Sequence, residues 1–414
     1  MIIMNSIAGA SAAAGAIWLV ASSLIVARRL RGKPPAPAPA GAAKVALIRP
    51  VAGSEYELEA ALRTSFALSY PNVEVLFCVE DEADPAVPTI RRLIAEHPAA
   101  GARLLIGRDR IGANPKINNI AKAWRATDAE WLAIADSNAV LPADFIEGLM
   151  ECWAGNRGVV SSPTLMIEPE GLAAEVEAAF VNLAQTRVAL GGDLFAFNAV
   201  FGKAMLWRRE TMARIGGLEA VAKEFGDDVI ARKLVKAAGM TARVGRPIPQ
   251  RAGPRPWRTV WNRQLRWLRV LSGPAKPIYF LSVLCANILP MFWVGVLTMT
   301  GALPFVALPV FIVAWYAVEC ALALAVGWPM SWRMPLALAI RDLLFFPLWF
   351  AGLFPAKVAW RGNVKEHRSE MPGQLPSAQL EREPAGGRAG DVPIADAVLH
   401  QAAARALEPS SAAR

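Results

Sequence analysis

Four acidic residues, together with two arginines, carry the chemical interest of this chain. Asp81 and Asp84 follow one short apolar run, and Asp136, in Asp136-Ser137-Asn138, closes another. Asp228, preceded by Asp227, opens a run with helical spacing, and Arg263 and Arg266 stand three apart, with Trp267 directly after. Acids gathered at one edge of a fold can make a ligand site, and a basic run can meet anionic groups. From Val229 through Val318 there is no Asp or Glu, while twelve Lys and Arg fall in that span. Its place against an apolar region favours anionic headgroups or a nucleotide diphosphate over nucleic acid. Plainer readings stay open for each residue. Asp227-Asp228 also suits a helix amino-terminus, Arg263 to Trp267 also suits an interfacial anchor, and Lys116 is either a solvated helix-start residue or a phosphate contact. His97, His367 and His400 have no partner spacing, and the four cysteines show no metal spacing.

The elements that must position these residues alternate. Strands are expected at 45–48, 73–79, 103–106 and 131–135, and helices at 55–68, 86–96, 116–127, 143–153 and 229–238. That order argues for a parallel sheet covered on both faces. Ligands of such sheets bind outside the carboxyl ends of the strands, where Asp81, Asp84 and Asp136 fall. Gly-x-Gly-x-x-Gly and the Walker lysine loop are both missing after the first strand, which removes the main feature of dinucleotide and P-loop readings.

Asp84, Asp136, Asp228 and Arg263-x-x-Arg266-Trp267 resemble the D, D, D, (Q/R)xxRW signature of family 2-like and family 21 glycosyltransferases, ceramide glucosyltransferases above all. Leu76 to Asp81, Asp84-Pro85, Asn114-Pro-Lys-Ile-Asn-Asn119, Ala135-Asp-Ser137 and Gly216-Gly-Leu218 are similar to that family as well, and the hexapeptide is the most specific. The resemblance implies an α/β fold of GT-A type, a Rossmann-like nucleotide-sugar-binding domain with transmembrane helices at both ends. It implies a UDP-sugar donor met by Asp81, Asp84, Lys116 and Asp136, and a Mg²⁺ or Mn²⁺ cofactor held by Asp136. Asn138 stands where the family has a second acid and offers only a neutral carbonyl. Asp228 would be the general base of an inverting transfer, Arg263 and Arg266 would neutralise the departing diphosphate, and Trp267 would wall the acceptor site. The implied acceptor is a lipid hydroxyl, ceramide first, with a hopanoid, diacylglycerol or polyprenyl lipid as alternatives. A nonenzymatic membrane protein is the reading from another class.

Composition agrees with a membrane setting. Of 414 residues, 54% are hydrophobic and 19% charged, with a net charge of +9, which excludes a disordered chain and makes an ordinary soluble enzyme a poor fit. Residues 1–27 carry no charge and are followed by Arg28, Arg29, Arg31 and Lys33, so 1–33 reads as an uncleaved signal anchor that leaves the next domain in the cytoplasm. Residues 34–43 read as a Pro/Ala linker, 44–273 as the catalytic domain and 274–358 as membrane segments. Among these, 278–300 and 304–326 can span. Arg341 and Asp342 interrupt the stretch over 336–354, which leaves open whether it spans. Residues 359–414 read as a polar, largely disordered tail. The Ala/Arg-rich composition points to a bacterial chain in an inner membrane.

Overall fold

The computed structural model describes residues 1–195, 197–272, 279–280, 282–283, 286–354, 358–360 and 363–365. Nearly all of the expected tail over 359–414 lies outside the described residues. The exception is a strand pair, β10 (Val358–Trp360) with β11 (Asn363–Lys365), which crosses the boundary where the tail was expected to begin.

The domain is built on strand β1 (Val45–Pro50), all six residues of which are buried. Val45 and Leu47 face one core, and Ala46 and Ile48 face another. Two-residue alternation with apolar residues on both sides means a sheet covered on both faces. β2 (Val73–Val79), β3 (Arg103–Ile106) and β4 (Trp131–Ala135) join β1 in parallel, in the order β3-β2-β1-β4. One face packs α2 (Leu58–Arg63), α3 (Val87–Glu96) and α5 (Phe145–Glu151). The other packs α4 (Pro115–Ala126), α9 (Gly217–Ala222) and α10 (Asp227–Ala237). The expected α/β class stands.

The sheet is not wholly parallel, contrary to expectation. β7 (Ala204–Arg208) runs antiparallel between β4 and β5 (Arg157–Ser162), and β8 (Thr241–Val244) lies parallel to β5 at the edge. The reversal places the start of β7 beside the end of β4: the Asp136 amide donates to the Lys203 carbonyl at 3.0 Å. A parallel strand would have begun at the opposite edge, away from the ligand-binding ends. A separate parallel pair, β6 (Thr164–Glu170) and β9 (Ile248–Pro254), leads into the remaining helices.

Three described helices are long and apolar enough to cross a membrane. They are α1 (Ile2–Leu30), α13 (Ala307–Val326) and α14 (Met334–Gly352). Of the expected span over 278–300, residues 278, 281, 284 and 285 lie outside the described residues, and α12 (Ile288–Met299) forms its second half, with 12 residues that rise about 18 Å against the ~30 Å of a bilayer core. Between the sheet and these helices lie α6 (Leu172–Ala178), a π-helical stretch (Ala179–Thr186), α7 (Arg187–Gly192) and α11 (Trp257–Ser272).

The charges that interrupt the last apolar stretch are answered across helices. Buried Arg341 donates to both oxygens of buried Glu319, at 3.1 and 2.9 Å, and to its neighbour Asp342 at 2.8 Å. Arg187, also buried, donates to Ser22 of α1 and to Asn287 at the start of α12. These contacts tie α1, α7, α12, α13 and α14 together where each unpaired charge would be costly. Replacing Arg341 by Ala should cost about 3–5 kcal/mol in unfolding free energy, because Glu319 and Asp342 lose their shared cation. Apolar replacement of Glu319, Arg341 and Asp342 together with Arg187, which also faces Glu319, should recover most of that loss, as denaturant melting in detergent would show.

Candidate active site at the carboxyl edge of the sheet

The family-like hexapeptide organises this edge. Asn114 caps α4 by accepting from the Ile117 amide at 3.1 Å, and Pro115 takes the first helical position, where no amide is needed. The same Asn114 side chain donates to the Glu224 and Phe225 carbonyls, just before Asp227. Asn119 donates to the Val51 and Cys78 carbonyls, which joins the ends of β1 and β2. Gly112 passes so close to the Ala222 carbonyl that a Cβ there would collide with it. The loop before α4 therefore sits against the segment leading to α10, and three strand or helix ends converge.

Lys116 stands at the centre of the convergence. Its ammonium lies 2.8 Å from Asp136 Oδ1 and 3.0 Å from Asp227 Oδ2, and it donates to the Gly202 carbonyl. These carboxylates hold its pKa above the ordinary lysine value in spite of burial. Lys203 approaches Asp136 Oδ2 at 3.5 Å and donates to the Asn138 carbonyl oxygen. Burial pulls Lys203 down to about 8, with Arg263 adding to the effect and Asp136 opposing it. Asp228 lies in the first turn of α10 and accepts from the Val229 amide at 2.8 Å. Burial, and then the neighbouring Asp227 charge, raise its carboxyl to about 6, against the opposing pull of Lys116. A carboxylate poised there can accept a proton near neutral pH.

Asp136 and Asn138 are hard oxygen donors set side by side. Two such groups suit a Mg²⁺ or Mn²⁺ that completes its shell with phosphate oxygens and water. Among the described residues no group of three His, Cys, Asp or Glu is arranged to hold a metal unaided.

Behind Asp136, buried Arg49 donates to the Ser137 and Ala139 carbonyls at 3.1 and 2.9 Å and fixes the loop after β4. Burial lowers its guanidinium to about 9. On the other side stands α11. Arg263 Nε lies 3.3 Å from buried Glu177, which also pairs with Arg255 at 2.8 Å, and Arg263 donates to Gln250 at 3.2 Å. The Arg263 guanidinium stacks over Trp267, 5.1 Å from the ring centroid. The remaining surface of Trp267 packs on the cluster of Met166, Ala178, Val181 and Ala252.

Residues 9–371 match the family described as "Glycosyl transferase family 21". The chain belongs to that family. Ceramide glucosyltransferase 1 of Caenorhabditis elegans is 25% identical over 229 residues, 55% of this chain and 49% of that protein. The ceramide glucosyltransferase of Komagataella phaffii is 38% identical over 106 residues, 25% of this chain and 21% of that protein. The chain thus spans about half the length of the first curated relatives it matches, and about a quarter of the fungal ones. Among solved structures, the mannosyltransferase PcManGT from Pyrobaculum calidifontis, in complex with GDP-Man and Mn²⁺, is similar at 22% identity. That match covers 82% of this chain and 99% of that one, with a TM-score of 0.42.

In this family 21 chain the expected site residues fall into two groups. Asp136, Asn138, Lys116 and Asp228 share one cluster, and the influence of Arg263 on Lys203 puts α11 beside it. Arg266 lies one turn along α11, half-buried. Asp81 and Asp84 stand apart from the lysines. Asp84 accepts from the Gly53 and Ala86 amides at 2.8 Å each, closing the loop after β1 onto that after β2, and exposed Asp81 accepts from the Ala83 amide. The residues read from sequence did not include Lys203, Glu177 or Arg255 in any site role. Two glutamates, Glu175 and Glu177, inside the apolar run 172–183 were the available signal, since a buried acid needs a partner.

Asn114→Ala should cost about 1 kcal/mol as a lost helix cap, with a further loss for the two released carbonyls. Thermal unfolding beside an exposed control such as Asn156→Ala would check it.

Proposed function

We propose that this chain is a membrane-bound inverting hexosyltransferase. It takes a hexose, glucose first, from a UDP-sugar and places it on a lipid hydroxyl, ceramide first. The observation that supports this most is the poised Asp228 carboxyl beside the Lys116-linked Asp136, on a chain that matches family 21 over most of its length.

The steps follow from the residues. The acceptor hydroxyl gives its proton to Asp228 as its oxygen attacks the anomeric carbon. The new carbon–oxygen bond forms on the face opposite the diphosphate, and the bond to the diphosphate breaks, its electron pair leaving with the phosphate. Lys203, Arg263 and Arg266 neutralise the charge that develops there. Asp136 and Asn138 would hold Mg²⁺ or Mn²⁺, which would supply further positive charge against the diphosphate. Asp81 and Asp84 would meet the nucleoside end of the donor, and Trp267 would serve the acceptor side by holding Arg263 in place.

The domain faces the cytoplasm of a bacterial inner membrane in this proposal. Arg28 and Arg29 in the last turn of α1 mark the inner side. α13 and α14 would then form an out-and-back pair.

The purified chain in detergent, given labelled UDP-glucose and ceramide, should make labelled glucosylceramide of inverted configuration. Excess chelator should abolish transfer, and Mg²⁺ or Mn²⁺ should restore it. Asp228→Asn should lower kcat about 10²–10⁴-fold with the fold intact. Undiminished transfer by that variant, or in chelator, overturns the corresponding assignment. The pH profile of kcat/KM should be bell-shaped. Activity should rise as Asp228 loses its proton near 6 and fall as Lys203 loses its own near 8. Asp227→Asn removes a like charge, so the acid limb should move down. A limb that stays in place excludes Asp228 as its source.

A further inference from the structure

A groove of about 330 Å³ opens between the site and the membrane helices. Its walls are Phe180 of the π-helical stretch, Trp257, Val260 and Trp261 of α11, and Leu344 and Leu348 of α14. Among the described residues, Arg258 is the one charged residue lining it. The walls are continuous with the charged cluster. Phe180 lies one turn after Glu177, and Val260 lies one turn before Arg263, the two residues whose charges face each other at 3.3 Å. The third wall belongs to α14, one of the helices long and apolar enough to cross a membrane. The groove therefore runs from a membrane-facing helix to within one turn of the site. Its Phe and Trp side chains are of the kind that sit at the level of lipid headgroups. Phe180, Val260 and Leu348 are buried, whereas Trp257 is 47% exposed, so the floor is built and the rim is open.

We propose that this groove holds one hydrocarbon chain of the lipid acceptor, with Arg258 at its polar mouth, and so sets the preference for acceptor chain length. The proposal rests on the lipid-acceptor reading above. A lining of aromatic and aliphatic side chains with a single guanidinium fits a linear hydrocarbon tail beneath a polar head. Closeness to Arg263 gives the tail a purpose: once it is seated, the headgroup hydroxyl is held at the end of the sheet.

The value of kcat/KM should rise with N-acyl length until the groove is full and then level off, each methylene giving less than the roughly 4-fold of transfer from water because the chain leaves an apolar micelle. The test uses the full chain in detergent, with ceramides of increasing N-acyl length and UDP-glucose. Leu344→Trp fills the groove from the half-buried side of α14, away from the charged cluster. It should abolish the chain-length dependence, with kcat/KM for the longer acceptors falling to that for the shortest. A variant that keeps the wild-type dependence overturns the proposal. A second measurement does not need catalysis. A ceramide carrying a photoreactive diazirine near the end of its acyl chain, irradiated without sugar donor, should label peptides containing Phe180 or Trp261. Excess unlabelled ceramide should compete, phosphatidylcholine should not, and Leu344→Trp should weaken the labelling. Labelling elsewhere, no labelling, or equal competition by phosphatidylcholine overturns the groove assignment whatever the transfer assay shows. Selective labelling in a chain that transfers no sugar would instead sink the enzymatic reading and leave the groove standing.

Discussion

The site depends on one buried ammonium group. Lys116 sits between Asp136 at the end of β4 and Asp227 at the start of α10, two elements far apart in the chain. Without it three carboxylates, those two and Asp228, would share a small buried space, and burial with like charges drives such groups to hold their protons. With it, Asp136 and Asp227 have a cation between them, and Asp228 settles in the range where a carboxyl can exchange a proton at neutral pH. The surrounding sequence keeps Lys116 in place. The Asn114 cap fixes the start of its helix, Asn119 ties the next turn to β1 and β2, and Gly112 allows the close approach to residue 222.

A second set of buried charges does related work among the apolar helices. Arg341 pairs with both Glu319 and Asp342, and Arg187 reaches from α7 to α1 and to the start of α12. Arg187 follows directly on the π-helical stretch that carries Phe180, while Glu177 ends in an ion pair with α11. One helical run thus touches both the apolar bundle and the arginine helix of the site.

Much of this was legible in the residues themselves. β2, β3 and β4 fall at the expected positions because their apolar runs are short and end in turn-forming residues. The grouping of Asp136, Lys116 and Asp228 followed from strand-end position together with the family signature. The antiparallel β7 was not legible, because a five-residue apolar run carries no sign of its direction. Glu177 and Arg255 escaped for a similar reason: their meaning lies in a pairing across 78 residues, and spacing along the chain does not show it. Part of the span expected over 278–300 lies outside the described residues, and α12 covers its second half.

Titration of the buried carboxyls in wild type and in Lys116→Met tests the central claim most directly. Infrared difference spectroscopy can follow the carboxylic-acid carbonyl band of Asp228, assigned by its loss in Asp228→Asn, with no need for substrate. If Lys116 sets the electrostatics of the site, the wild-type band has its midpoint near 6 and moves upward in Lys116→Met, because a cation that favours the ionised form has gone. A midpoint that stays in place when Lys116 loses its charge would contradict the account.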